Sequence, residues 1–270
     1  MTNDEQAQPS STQHARRSIR VVTLYDDVMN VYADRGNVIA LRARAAEHGV
    51  DVEVTSVSLG DPLPDDTDLV LIGGGQDREQ RRIAEDLAAH GPRLRAWADE
   101  NVAMLAICGG YQLFGQSYRD GTGAELPGAG VFDVTTVAPG PGWARCIGDV
   151  IATAVVPGVG ELAGFENHGG RTYLGPGARP FAMVDYGYGN NGDDGTEGAQ
   201  RNEAIGTYLH GSLLPKNPAL LDHLIAAALR HREGPDSEPL ASIGAPYAER
   251  AHAAAVQVAK RRSRRWSRTS

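Results

Sequence analysis

Cys108 stands in LAICGGYQLFG, residues 105 to 115, where an apolar run meets a Gly-Gly pair and then an amphipathic helical pattern. A strand-to-helix corner of this kind lifts a side chain out of a sheet and aims the following backbone N–H groups at whatever the sulfur attacks. The chemistry it suggests is nucleophilic attack on a carbonyl. A free thiol, with a pKa of about 8.5, is only slightly ionised at neutral pH and needs a base. The expected base lies 102 residues later, where the apolar stretch AIGTYL ends in His210-Gly211. His168, in FENHGGRT, is the rival; it lies 60 residues past Cys108 in a β-rich stretch and reads as structural or substrate-facing. A lone cysteine is usually packing and a lone histidine a polar strand cap. Packing alone does not require both Gly109 and Gly110 beside Cys108.

A second glycine cluster, Gly73-Gly74-Gly75 in LIGGGQD, follows the apolar run LVLI. As a strand-end loop it can offer a backbone N–H to the oxygen of a tetrahedral intermediate, paired with the N–H of Gly109. Each such donor is typically worth about 3 kcal/mol of barrier. The loop lacks the later lysine of a phosphate-binding loop, and no G-x-x-x-x-G-K-[ST] occurs in the chain, so ATP binding is not expected here.

These residues need a scaffold, and the hydrophobic pattern describes one. IRVVTLY (19–25), VDVEVTSVSL (50–59), LVLI (69–72) and NVAMLAI (101–107) read as strands, alternating with helical stretches from about Asn37 to Gly49 and from Asp77 to Ala98. The Gly91-Pro92 pair is expected to break the second helix, and the helix after Cys108 to begin near Tyr111. Such alternation implies an α/β fold, a mostly parallel sheet flanked by helices, with the site at the carboxyl ends of its strands. From about 120 to 208 the pattern turns to short, glycine-rich β segments, expected as an antiparallel extension. Helices are expected from Pro218 to His231 and, as an appended arm, from about Pro246 to Arg262. The organisation is therefore a disordered tail (1–18), one domain (19–232) and a C-terminal extension (233–270).

The 270 residues suit one α/β core, and no apolar run reaches about 18 residues, so neither a signal core nor a membrane span is expected. Two cysteines, Cys108 and Cys146, make no disulfide framework, and no Cys/His cluster has metal-ligand spacing. A soluble cytoplasmic protein without a metal is expected. Residues 260–270 (KRRSRRWSRTS) hold six basic and no acidic side chains, so the net charge of −8 leaves −14 on the rest. An acidic body argues against nucleic-acid binding; the basic tail suits solvent, anionic lipid head groups at the inner membrane surface, or a partner.

The order strand, Gly loop, strand, Cys-Gly-Gly elbow and late histidine resembles a class I glutamine amidotransferase domain of flavodoxin-like fold. More narrowly, LYDDVMNVYADRGN, LIGGGQDREQ, LAICGGYQLFG, GFENHGGRTY, YGYGNNGDDGTEGA and IGTYLHGSLLPKNP are similar to the GatD-type glutaminase subunits of lipid II isoglutaminyl synthases, relatives of the amidotransferase domain of cobyric acid synthase. The match covers roughly residues 19–230. The resemblance implies Cys108 as nucleophile toward L-glutamine, His210 as base, Gly75 and Gly109 as the oxyanion hole, and Arg145, in WARCIGDV, at glutamine binding or entry. A guanidinium fork suits a substrate carboxylate, although an arginine beside a strand is as often only solvated. It further implies a Mur-ligase-like partner of MurT type, which holds ATP and magnesium and carries lipid II; no cofactor is implied for this chain.

One departure stands out. Class I enzymes usually place a carboxylate two residues after the histidine, whereas His210 is followed by Gly211 and Ser212. The orienting acid is then a distant one such as Glu166 or Asp185, or belongs to the partner. Three alternatives remain: an amidotransferase acting on a cobyrinate-like acid, a non-catalytic scaffold of the same fold, and a thiol-dependent peptidase with an extended groove.

Overall fold

Apolar, β-branched runs become the strands of the central sheet, its inner strands buried on both faces and its edge strands partly exposed. The computed structural model describes residues 16–30, 34–140 and 142–266, with side chains to residue 262. The tail expected at 1–18 lies outside the described residues up to residue 15, and the last four residues lie outside them as well. The first half runs β1 (Arg17–Leu24), α1 (Arg35–Glu47), β2 (Val50–Val57), β3 (Leu69–Ile72), α2 (Asp77–Asp99), β4 (Ala103–Ile107) and α3 (Gly109–Phe114). Ten short strands follow: β5 (Ser117–Arg119), β6 (Glu125–Pro127), β7 (Val134–Val137), β8 (Cys146–Ala154), β9 (Glu161–His168), β10 (Arg171–Leu174), β11 (Ala182–Tyr186), β12 (Thr196–Glu197), β13 (Ala199–Arg201) and β14 (Ala204–Thr207). A 3-10 turn (Leu214–Lys216), α4 (Pro218–Glu233) and α5 (Pro246–Trp266) complete the chain.

The main sheet has the order β13-β14-β4-β3-β1-β2, parallel except for β13 at its edge. Side chains alternate across it. Leu69, Leu71, Leu105 and Ile107 join the core shared with α1 and α4, while Val70, Ile72, Met104 and Ala106 join the core shared with α2 and α3. The register sets Thr207 beside Ile107, so β4 and β14 end together and Cys108 and His210 leave neighbouring strands at one edge.

The extension forms two four-stranded sheets, β10-β7-β5-β6 and β12-β11-β8-β9, antiparallel apart from the β5–β7 pair. The long β8–β9 hairpin meets the main sheet through a bridge from Phe165 to His210. α5 lies across this hairpin, with Val256 and Ala259 packed on Ile151 and Ala163. The first basic residues of the tail are engaged within the chain, since Arg262 pairs with Asp149 at 2.7 Å and Lys260 with Glu161 at 3.5 Å.

Besides shifts of two to four residues at the ends of other helices, α2 and α3 differ from the sequence reading in ways that matter for packing. α2 continues unbroken through Pro92, because a buried stripe of Ile83, Ala84, Leu87, Leu94 and Trp97 on one face outweighs the lost N–H. Gly91 instead permits close packing, since a Cβ there would lie 2.7 Å from the Ala129 carbonyl. α3 starts at Gly109 rather than near Tyr111, which brings the helix start directly against Cys108.

Candidate active site

Cys108 adopts φ 51° and ψ −107°, a left-handed backbone that side-chain-bearing residues avoid without compensation. The compensation is visible on both sides. Its N–H donates to the Thr207 carbonyl at 2.8 Å, and its carbonyl accepts the Gln112 N–H at 3.0 Å, beginning α3. The two glycine clusters then touch main chain to main chain. A Cβ on Gly109 would lie 2.8 Å from the Gly75 nitrogen, and one on Gly110 would lie 2.8 Å from the Gly73 carbonyl oxygen. The Gly110 N–H donates to that same oxygen at 3.2 Å. The Gly109 N–H beside the sulfur favours the thiolate. Burial first, and the neighbouring Asp34 second, nevertheless push the thiol up to about 12, so the resting group is protonated at neutral pH.

The sulfur opens into a cleft of about 570 Å³ whose lining includes Gly75, Gln112, Trp143, Arg145 and His168. Arg145 is held as a fork, Nε donating to Asn167 Oδ1 and Nη2 to the Asn167 carbonyl, each at 2.9 Å. Trp143 stands at the rim and is 68% exposed. Of the residues singled out by sequence, Cys108, Gly75, Arg145 and His168 therefore share one cavity, and Gly109 lies directly behind the sulfur.

His210 sits differently. It is buried after β14, exchanges backbone hydrogen bonds with Phe165 at 2.9 and 3.3 Å, and meets the Phe165 ring at 5.8 Å in an edge-on contact. It does not line the cleft. Burial, then the nearby His168 and Lys216, push its pKa down to about 4, leaving a neutral imidazole able to accept a proton. His168 stacks on Tyr208 with ring centroids 3.6 Å apart, its Nδ1 2.8 Å from the Gly170 carbonyl and its Nε2 3.4 Å from Glu166 Oε2.

The two candidate acids separate clearly. Asp185 is exposed on β11 and accepts a hydrogen bond from Thr153 at 2.8 Å, well apart from this cavity. Glu166 is buried beside His168, which it faces, and is fixed by the N–H groups of Tyr188 at 2.6 Å and Gly189 at 3.0 Å.

Other groups lay inside recognisable motifs, but spacing gave no sign of where their side chains point. Gln80 donates to the Gly109 carbonyl at 3.2 Å and to Gln112 at 2.8 Å; Gln112 donates to the Tyr208 hydroxyl at 3.1 Å, which meets Thr172 at 2.6 Å. This buried relay ties the elbow to the platform under His168. Glu197, wholly buried, accepts from the Thr207 hydroxyl and from the Tyr208 N–H at 3.0 Å. Burial pushes its pKa up to about 8. Among the described residues no group of three or more His, Cys, Asp or Glu side chains is placed to hold a metal ion.

Residues 20–218 match the model of the CobB/CobQ-like glutamine amidotransferase domain. The subunit GatD of lipid II isoglutaminyl synthase (glutamine-hydrolyzing) from Staphylococcus aureus is 38% identical over 222 residues, covering 81% of this chain and 88% of that protein. Its Streptococcus pneumoniae counterpart is 37% identical, covering 81% and 83%. A probable cobyric acid synthase from Methanopyrus kandleri is 37% identical over 60% of this chain but only 34% of its own length. A crystal structure of a glutamine amidotransferase shares the fold, with a TM-score of 0.54 at 15% identity over 77% of this chain and 98% of that one. With its strand-end thiol, paired glycine turns and family match over most of its length, this chain belongs to the CobB/CobQ-like glutamine amidotransferases.

Proposed function

We propose that this chain is the glutaminase subunit of a lipid II isoglutaminyl synthase, hydrolysing L-glutamine to glutamate and ammonia. The observation that carries this reading is the positive-φ Cys108 elbow with two glycine backbones packed against it beside an open cleft. Relatives of that name are matched over more than four fifths of their length, whereas the cobyric acid synthase is matched over about a third.

In this mechanism the Cys108 sulfur attacks the side-chain amide carbon of glutamine while His210 takes the thiol proton. The Gly75 and Gly109 N–H groups hold the oxyanion, whose negative charge develops only on the way to the tetrahedral intermediate. Collapse breaks the C–N bond, and the nitrogen leaves as ammonia with the proton returned by His210. Water then adds to the glutamyl thioester, the C–S bond breaks, and glutamate and the thiol are released. Arg145 suits the substrate carboxylate, because its fork is already oriented by Asn167.

His210 is followed by Gly211 and Ser212 rather than by a local carboxylate, and burial keeps the thiol protonated and the imidazole neutral in this chain alone. That supports completion by a partner: a Mur-ligase-like subunit of MurT type that supplies the acid orienting His210, binds ATP and magnesium, and activates the D-glutamate α-carboxylate of the lipid II stem peptide. Ammonia converts that carboxylate to D-isoglutamine. This chain needs no cofactor of its own. No helix among the described residues is long and apolar enough to cross a membrane, and we place the work at the cytoplasmic surface where lipid II is made.

The test is amidation by the full chain with its ligase partner. Cys108→Ala should abolish glutamine-dependent amidation of lipid II while leaving ammonium-dependent amidation intact. Persistence of the glutamine-dependent product would favour a scaffold role, and a corrinoid acid accepted in place of lipid II would favour the cobyrinate reading.

A further inference from the structure

The motif ADRGN, residues 33–37, has no part in the mechanism above, yet its described residues reach both halves of the site. Asp34 occupies the N-cap of α1, where an aspartate ordinarily accepts an N–H of the first helical turn. It makes no such bond. Its Oδ2 instead accepts the Gly74 N–H at 2.7 Å, forty residues away in sequence, and its buried Oδ1 has no hydrogen-bond partner among the described residues. Gly74 is sandwiched: a Cβ there would lie 3.4 Å from both Asp34 Oδ2 and the Cys108 Cβ, and 3.9 Å from the Cys108 sulfur. The same turn grips the other loop. Asn37 Oδ1 accepts the Leu214 N–H at 2.9 Å, and a Cβ on Gly36 would overlap the Ser212 hydroxyl. Ser212 and Leu214 are two and four residues past His210.

Burying a carboxylate with one hydrogen bond to one oxygen is unfavourable, and a serine would cap α1 without that cost. What the aspartate adds over a serine is reach, to the Gly74 N–H of the Gly73–Gly75 loop. Resting on the reading of Cys108 as nucleophile, we propose that Asp34 is a positioning residue for glutamine hydrolysis. Its carboxylate fixes the oxyanion loop against the Cys108 elbow, and the turn it begins ties that loop to the segment carrying His210.

The test measures glutamine hydrolysis by the full chain in complex with its ligase partner. Asp34→Ser keeps a capping residue but is too short to reach Gly74, and should lower kcat on the order of 10²-fold, as loss of an oriented oxyanion donor does. KM for glutamine should move by less than about threefold, because the loop acts on the transition state rather than on ground-state binding. Asp34→Asn, whose amide oxygen can still accept the Gly74 N–H, should recover at least about tenfold of that loss. Asn37→Ala should lower kcat as well, and the double variant Asp34→Ser/Asn37→Ala should lose less than the product of the two single losses.

The inference is overturned if Asp34→Ser stays within about twofold of the native kcat, if its loss lies in KM, or if Asp34→Asn rescues nothing. Should Asp34→Ser fail to fold, by its thermal midpoint, a folded Asn37→Ala with native kcat overturns it independently. Cys108→Ala run in parallel separates the two ideas. If that variant still hydrolyses glutamine, the reading of the site is wrong; if it is dead while Asp34→Ser is unimpaired, only the role of Asp34 falls.

Discussion

The wall of the cleft that carries Cys108 is main chain packed on main chain, whereas the wall that carries His168 and Arg145 is built of side chains, each oriented by hydrogen bonds or ring stacking. On the first wall, Gly109 and Gly110 have no room for a methyl group against Gly75 and Gly73. On the second, Arg145 rests on Asn167, His168 on Tyr208 and Glu166, and Glu166 on two backbone amides. In the mechanism proposed above, the two walls take two tasks. Oxyanion donors must already sit where charge will appear, which close-packed backbone achieves without reorganisation. Recognition of a particular substrate is set by side chains, which vary without disturbing the sheet.

Substitutions on the two walls should therefore fail in different ways. Cys108→Ala should have the largest effect, lowering glutamine hydrolysis by on the order of 10³-fold or more with little change in thermal midpoint. His210→Asn should lower kcat by about 10²–10⁴-fold, the usual contribution of a general base, whereas His168→Asn should act mainly on KM. Steady-state kinetics that put the kcat loss on His168 instead would reverse the roles given to the two histidines. Gly109→Ala, forced against the Gly75 nitrogen, should lower kcat by about 10²-fold. Asn167→Ala removes the side-chain half of the fork's support, leaving the bond to the Asn167 carbonyl, and should raise KM for glutamine by about threefold to tenfold with kcat nearly unchanged. A kcat loss there would blur the distinction between the walls.

The smallest effect concerns stability. Glu197 is held at a pKa of about 8, above the value of an unfolded glutamate near 4.5, so between those limits the folded state keeps a proton that the unfolded state has released. Stability from this group therefore falls as pH rises through that window. Asp34, pushed up to about 6, acts in the same direction, and His210, pushed down to about 4, in the opposite one. Glu197→Gln should remove only its own contribution. Its thermal midpoint should decline by on the order of 10 °C less than that of the native chain between pH 5 and pH 8. Equal slopes by calorimetry would show that Glu197 is ionised in the fold.

The amino-acid sequence determined the alternation of strands and helices, the placing of Cys108, Gly75 and His210 at strand ends, and the turn of the chain at Cys108. These features are local: an apolar run, a glycine pair and a period of two or 3.6 residues act over a few neighbours. Even so, Pro92 was misleading, because a buried helix face can outweigh one missing N–H. Only the tertiary structure decided that His168 rather than His210 lines the cleft, that Glu166 faces His168, and that Asp185 belongs to another surface. The same holds for the reach of Asp34 to Gly74 and for the Gln80–Gln112–Tyr208 relay. Each depends on the register of β8 against β9, on where the Phe165–His210 bridge joins the two parts, or on the rotation of a helix about its axis. A one-residue slip of a strand would send every such side chain to the opposite face, and spacing along the chain carries no record of that choice.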